Sequence, residues 1–164
     1  REHDADLVVP YRNVKHFEET YPTEQFHSEM YGNLYLDAIA STELKTLTLE
    51  LPRVDSILSS ALDESNNKKL LPRLDWHFGP FAFEAKHISL WTEYNRGDSY
   101  DAQVVPWVFA MRKGLTVISV QVDYQAPLAM KEQEEGNVDF IEKRLQQLNG
   151  LDPLVKKAWS DEFY

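Results

Sequence analysis

The chain contains no cysteine. Disulfides, thiolate nucleophiles and cysteine-ligated zinc or iron–sulfur centres are therefore excluded. The absence does not fix a compartment, because a disulfide-free domain works in the cytosol or outside it. Glycine is scarce, with six residues in 164. None falls in a G-x-x-x-x-G-K-[ST] or G-x-G-x-x-G pattern, so there is no glycine loop to cradle a phosphate. A G-x-S-x-G nucleophile elbow, an EF-hand loop and an H-E-x-x-H zinc helix are missing as well. No apolar run approaches the roughly 18 to 20 residues of a transmembrane helix, and no Asn-x-Ser/Thr sequon occurs. The opening Arg1-Glu2-His3-Asp4 is polar and unlike a signal peptide. Both a cytoplasmic location and export after cleavage of a leader stay open.

What is present in excess is acid. With 27 Asp and Glu against 17 Lys and Arg, the formal net charge is −10. Phosphate backbones repel such a surface, which argues against nucleic-acid binding, and an anionic membrane face is disfavoured for the same reason. An acidic surface suits a basic protein partner, and it also keeps a chain in solution. The 43% hydrophobic and 12% aromatic content supplies a packed core, unlike that of a disordered chain. The length suits one domain spanning residues 1–164.

The pattern along the chain places helices first. Asn13 is positioned to cap a short helix through Val14, Phe17 and Glu18. Pro22 and Thr23 open a second helix carrying Phe26, Met30 and Tyr31, with Gly32 as its stop. Residues 34–40 fit helix and strand alike. In residues 45–51 leucine alternates with Thr, Thr and Glu, the signature of a half-buried strand. Val54, Ile57, Leu58 and Leu62 give an amphipathic helix over 53–63, followed by a polar loop over 63–69.

The centre reads as strands. Phe81 and Phe83 alternate with Ala82 and Glu84, and the parity then changes to Ile88 and Leu90. A β-bulge at 85–87 would reconcile the halves. The dense apolar run 103–111 suits a strand covered on both faces, although Pro106 argues against that position. After a Lys113-Gly114 turn, Thr116, Ile118, Val120, Val122 and Tyr124 line one face of a last strand, and Ser119, Gln121 and Asp123 the other. Short connections predict an antiparallel meander. Asn137 caps a helix with Val138, Ile141, Leu145 and Leu148, stopped by Gly150, and Asp152-Pro153 opens a final short helix. The expected fold is α+β: an antiparallel β-meander of about four strands, with N-terminal, middle and C-terminal helices packed on one face.

Candidate chemistry is sparse. No histidine pair has helical i, i+4 spacing. His3 with Asp4 and Asp6 reads as a solvated terminus, and His16 and His27 lie among Glu18, Glu19, Glu24 and Glu29 as on any acidic helical surface. No metal site and no cofactor are assigned. The most unusual segment runs from Asp75 through Trp76, His77, Phe78, Gly79 and Pro80 to Phe81. It is either a pocket with His77 as acid, base or donor, or an aromatic plug of the core. His87, Trp91 and Glu93 share strand parity, so a curved sheet would turn a His and a Glu toward one cavity. Arg96-Gly97-Asp98 is ordinary turn chemistry. Together with Tyr94, Tyr100 and Asp101, it makes a Tyr- and Arg-bearing turn of the kind enriched at interfaces. The run 131–135 reads as a solvated face.

Two functions follow from these residues. The first is a non-catalytic protein-binding module, such as an inhibitor, an immunity-type neutraliser or an assembly subunit. It would use an acidic, aromatic-containing surface that includes Trp76, Tyr94, Arg96, Asp98, Tyr100 and Asp101 against a basic protein. The alternative is a small-molecule-binding or hydrolase- or isomerase-like enzyme using His77, His87 and Glu93 in a pocket between sheet and helices. A polar outer sheet face leaves room for a homodimer.

Overall fold

The computed structural model describes residues 4–40, 72–94 and 100–160. The strand expected at 45–51, the helix at 53–63, the loop at 63–69 and the turn residues Arg96 and Asp98 lie outside them.

The first strand is one that the helical reading of the N-terminal third passed over. Leu7-Val8-Val9 are bulky and largely β-branched, and they open β1 (Leu7–Arg12). It is the central strand of a three-stranded mixed sheet, order β2-β1-β3. β2 (Ala82–Phe83) pairs with it antiparallel, Leu7 opposite Phe83 and Val8 opposite Ala82. β3 (Val117–Val122) pairs with it parallel along its whole length, from Leu7 opposite Val117 to Arg12 opposite Val122. The sheet is therefore not an antiparallel meander. A parallel pair needs a long crossover, and here 104 residues separate Arg12 from Val117. Pro10 is tolerated in a central strand because β2 covers only Leu7 and Val8. The missing N–H falls past the end of that partner.

Asn13 caps α1 (Val14–Thr20) as its position predicts, with Oδ1 accepting from the Lys15 and His16 N–H groups. α2 (Thr23–Ile39) does not stop at Gly32 but runs through it. That glycine serves a close approach, since a Cβ there would lie 2.7 Å from the His77 ring. β2 ends without a bulge. A 3₁₀ turn (Ala85–His87) and a one-turn helix α3 (Ser89–Thr92) follow it, so the parity change marked the end of a strand.

The apolar run 103–111 is a helix, α4 (Asp101–Arg112). A continuous apolar stretch reads the same for a buried strand and a helix buried all round. Every residue from Val104 to Ala110 is buried, so tertiary enclosure decides. Pro106 was evidence against a strand, and in the helix it removes the N–H that would reach the Ala102 carbonyl. Gly114, at φ +73°, ends α4 as a left-handed residue. The Leu115 N–H reaches the Ala110 carbonyl and the Gly114 N–H the Met111 carbonyl, the double bond of a Schellman stop.

α5 (Leu128–Glu134) leads to α6 (Asp139–Trp159). α6 passes unbroken through Gly150 and Pro153, where a stop and a new helix were expected. Its continuity comes from burial of Leu148, Leu151, Val155 and Ala158 along one face.

Leu7 and Val9 on the inner face of β1 join a core built from α2, α4 and α6 around Trp76 and Trp107. In β3 the inner face holds Val117 and Ser119. The more apolar Ile118 and Val120 point outward beside Val8 and Ala82, with Val120 43% exposed. No helix among the described residues is long and apolar enough to cross a membrane.

Candidate functional site

The chemistry concentrates where β1 outruns β2. The Arg12 N–H, left without a strand partner on that side, donates to Asp75 Oδ2 at 3.2 Å. The Arg12 guanidinium then grips the same carboxylate with both arms, Nε to Oδ2 and Nη2 to Oδ1, each at 2.7 Å. This is the bidentate fork that gives arginine–carboxylate pairs their strength and direction. Nη2 also lies 2.8 Å from Glu29 Oε2 on α2, and Glu29 Oε1 is shared by Gln25 Nε2 at 2.8 Å and Arg144 Nη2 at 3.4 Å. The guanidinium stacks 3.7 Å above the Phe17 ring. Arg12, Glu29 and Asp75 are all buried. Two cations face two anions, so the cluster is internally neutral. Burial works against the Arg12 charge, and Asp75 and Glu29 outweigh it and hold the group above its usual range. Arg144 is drawn down to about 10 by burial, with Glu29 opposing.

Asn33, 1% exposed, extends the network. Its Nδ2 donates to Asp75 Oδ1 at 2.9 Å, so its Oδ1 faces His77 and accepts from the backbone N–H at 3.2 Å and from Nδ1 at 2.9 Å. This orientation assigns the proton of a neutral His77 to Nδ1. Among the described residues Nε2 then has no hydrogen-bond partner, and it lies buried against the Gly32 backbone. The Tyr100 hydroxyl and Gln103 Nε2 both donate to the Trp76 carbonyl, which fixes the turn carrying His77. Burial beside Glu29 and Asp75 pushes the Tyr100 hydroxyl pKa upward. A cleft of about 250 Å³ opens on the other side of the Arg12–Asp75 pair, lined by Tyr11, Arg12, Phe17, Asn33, Arg73 and Asp75 among others.

The residues singled out by sequence scatter over this frame. Trp76 is 1% exposed, with its indole N–H donating to Asp37 Oδ1 at 2.7 Å. Tyr94 is buried and donates to Asp101 Oδ2 at 2.8 Å, and Tyr100 is half-buried. These aromatics pack inward. His77 and His87 have separate partners, Asn33 for one and Asp6 for the other. Glu93 is exposed at the end of α3, and Trp91 stacks on Phe83 with centroids 4.0 Å apart. The three do not share a strand face, because His87 lies in the 3₁₀ turn, Trp91 in α3 and Glu93 just past the end of α3.

Arg12 and Asn33 escaped the sequence reading, and Glu29, read as part of an acidic helical surface, is buried. The available signal was a lone arginine closing the run Leu7-Val8-Val9-Pro10-Tyr11, a charge where the strand is otherwise apolar. Two further places carry chemistry. A cavity of about 320 Å³ lies between α2, α4, α6 and the inner face of β3, with Asp37, Arg73, Trp76, Met111, Ser119 and Trp159 on its walls. Asp37 is pushed up to about 6 by burial, against the donors Trp76 and the Arg73 N–H. At the opposite end of the sheet, Asp6, Glu84 and His87 bring potential ligand atoms within 4.8 Å of one another.

No protein-family model matches the chain, and no curated protein or solved structure matches it significantly.

Proposed function

We propose that the chain is a non-catalytic protein-binding domain that takes a basic, amphipathic partner on α6 and the adjoining α5. The reading rests on one observation. Val138, Ile141 and Leu145, spaced i, i+3, i+7, are 66%, 39% and 39% exposed. They continue outward the stripe that buries Leu148, Leu151 and Val155 lower on the same helix. Single exposed apolar residues are ordinary, but a stripe at this spacing is what one helix offers another. Leu128 on α5 is 66% exposed as well. Within residues 128–146 the exposed charges are Glu132, Glu135, Asp139 and Glu142, with Lys143 opposing. An apolar stripe rimmed by acid suits a partner with a leucine-type face and basic flanks, and the −10 net charge would speed the encounter.

The test is fluorescence anisotropy with a labelled Leu/Lys amphipathic helical peptide and a Leu/Glu counterpart of the same pattern. The cationic peptide should bind, weaken as salt is added, and lose at least tenfold affinity in the Ile141→Ser/Leu145→Ser variant. Equal binding of both peptides, or a variant indistinguishable from wild type, sinks the reading. A second reading, a small-molecule site, is favoured by the cavity that holds Asp37 with its raised pKa. Native mass spectrometry of the purified chain separates the two: a retained small molecule moves the case to that cavity.

A further inference from the structure

The antiparallel pairing of β1 with β2 sets Asp6, just before β1, beside Glu84, just after β2. The Glu84 N–H donates to the Asp6 carbonyl at 3.1 Å, and the His87 N–H to the Glu84 carbonyl at 2.8 Å. The 3₁₀ turn thereby folds the His87 imidazole back over the pair. Asp6 Oδ2 is committed to the Thr116 N–H at 2.9 Å. Oδ1 is left facing His87 Nε2 at 2.7 Å and Lys86 Nζ at 3.1 Å. Lys86 Nζ also lies 2.6 Å from Glu84 Oε2. The side chains of Asp6, Glu84 and His87 are 20%, 28% and 18% exposed, and that of Lys86 is 61% exposed.

We infer that Asp6, Glu84 and His87 form a binding site for a divalent transition cation of the Zn²⁺ type, with the Lys86 ammonium as an internal cation that the metal displaces. Two carboxylates and an imidazole are a donor set for zinc, whereas calcium and magnesium take oxygen almost exclusively. Metal–ligand bonds of about 2.0–2.2 Å place ligand atoms about 3 to 4 Å apart, and the three atoms, all within 4.8 Å of one another, reach that spacing by side-chain movements of about 1 to 2 Å. The Thr116 N–H orients Asp6 from behind, as outer-shell donors do at metal centres. A divalent ion in place of the single Lys86 ammonium brings more positive charge to the two carboxylates. Lys86 is long and exposed, and water and salt screen an ion pair of that kind, so it yields readily. The open depression beside the triad, about 550 Å³ and walled by Asp4, Ala85 and Ile118 among others, gives the ion its entry path and leaves a position for water.

The experiment titrates the full chain with Zn²⁺ by calorimetry and with Co²⁺ by visible absorption, with circular dichroism as the check on folding. In the Lys86→Ala variant, which empties only an exposed position, Zn²⁺ should bind about two- to fivefold tighter than in wild type. Adding His87→Gln to that variant should weaken binding at least tenfold and abolish the Co²⁺ ligand-field bands. Should the His87 variant lose its fold, Glu84→Gln provides the same reading. Lys86→Ala binding Zn²⁺ no more tightly than wild type, or Co²⁺ bands that persist without His87, overturns the site, since the ion would then sit elsewhere.

Discussion

Asp6 and Asp37 are pushed in opposite directions, and the difference lies in how donors balance burial. Asp6 sits near the surface with the Thr116 N–H, His87 and Lys86 all stabilising its charge, and its carboxyl is held well below the usual range. Its contribution is present above pH 4 and is lost only as pH falls through that depressed value. Asp37 has the Trp76 indole and the Arg73 and Leu74 N–H groups as donors, but burial outweighs them and raises it to about 6. The native state then holds a proton that the unfolded chain releases near pH 4. The stability tied to that proton is complete below pH 4 and disappears as pH rises through 6. A shift of this size corresponds to roughly 2 to 3 kcal/mol. Asp37→Asn should therefore remove a downward component of stability between pH 4 and 6, read as the difference between wild-type and variant urea-unfolding free energies across that range. Parallel curves would mean that the Asp37 carboxylate is hydrated and ionises normally.

At the scale of elements, two glycines inside helices make opposite predictions. Gly32 lies in α2 under the His77 ring, where a Cβ would come within 2.7 Å of Cε1 and 2.8 Å of Nε2. His77 is tied to Asn33, and Asn33 to Asp75, so the ring cannot give way without loosening the buried network. Gly150 lies in α6, where no atom of the described residues comes within 4 Å of the place a Cβ would take, and only the backbone entropy of glycine counts there. Gly150→Ala should stabilise by about 0.5 to 1 kcal/mol, and Gly32→Ala should destabilise by about 1 to 3 kcal/mol, the range for overpacking. Thermal unfolding of the two variants checks both signs, and a stabilised Gly32→Ala would mean that His77 is free to move. From sequence both glycines were helix stops, because the motif that ends a helix and the residue that admits a neighbour look alike. Asn13 and Gly114 were legible because capping and a left-handed turn depend on local backbone alone. α4 was not, because seven consecutive apolar residues have no period to read. β1 was missed because its assignment depends on β3, more than a hundred residues away. The Arg12–Asp75 pair is long-range in the same way: the segment around Asp75 stood out for its aromatics and His77, and nothing in it named Arg12 as the partner.

For the molecule as a whole, the unbalanced charge sets the response to salt. A net charge of −10 spread over a folded surface repels itself, and unfolding relieves that repulsion by separating the charges. Added salt screens such interactions beyond about 10 Å at 0.1 M. It leaves the buried Arg12–Asp75–Glu29 set, whose members lie within hydrogen-bonding distance and out of water, almost untouched. The exposed pairs, Lys86 with Glu84 and Lys156 with Asp152, lose a little, but pairs so open to water contribute little to begin with. The balance favours screening. Raising NaCl from 10 to 150 mM at pH 7 should therefore stabilise the fold by about 1 kcal/mol, which for a chain of this size is a rise in Tm of about 2 to 4 °C. A Tm that falls over that interval would mean that the acidic groups are already balanced locally. Long-range repulsion would then be too weak to steer a basic partner, and the apolar stripe on α6 would have to carry the encounter alone.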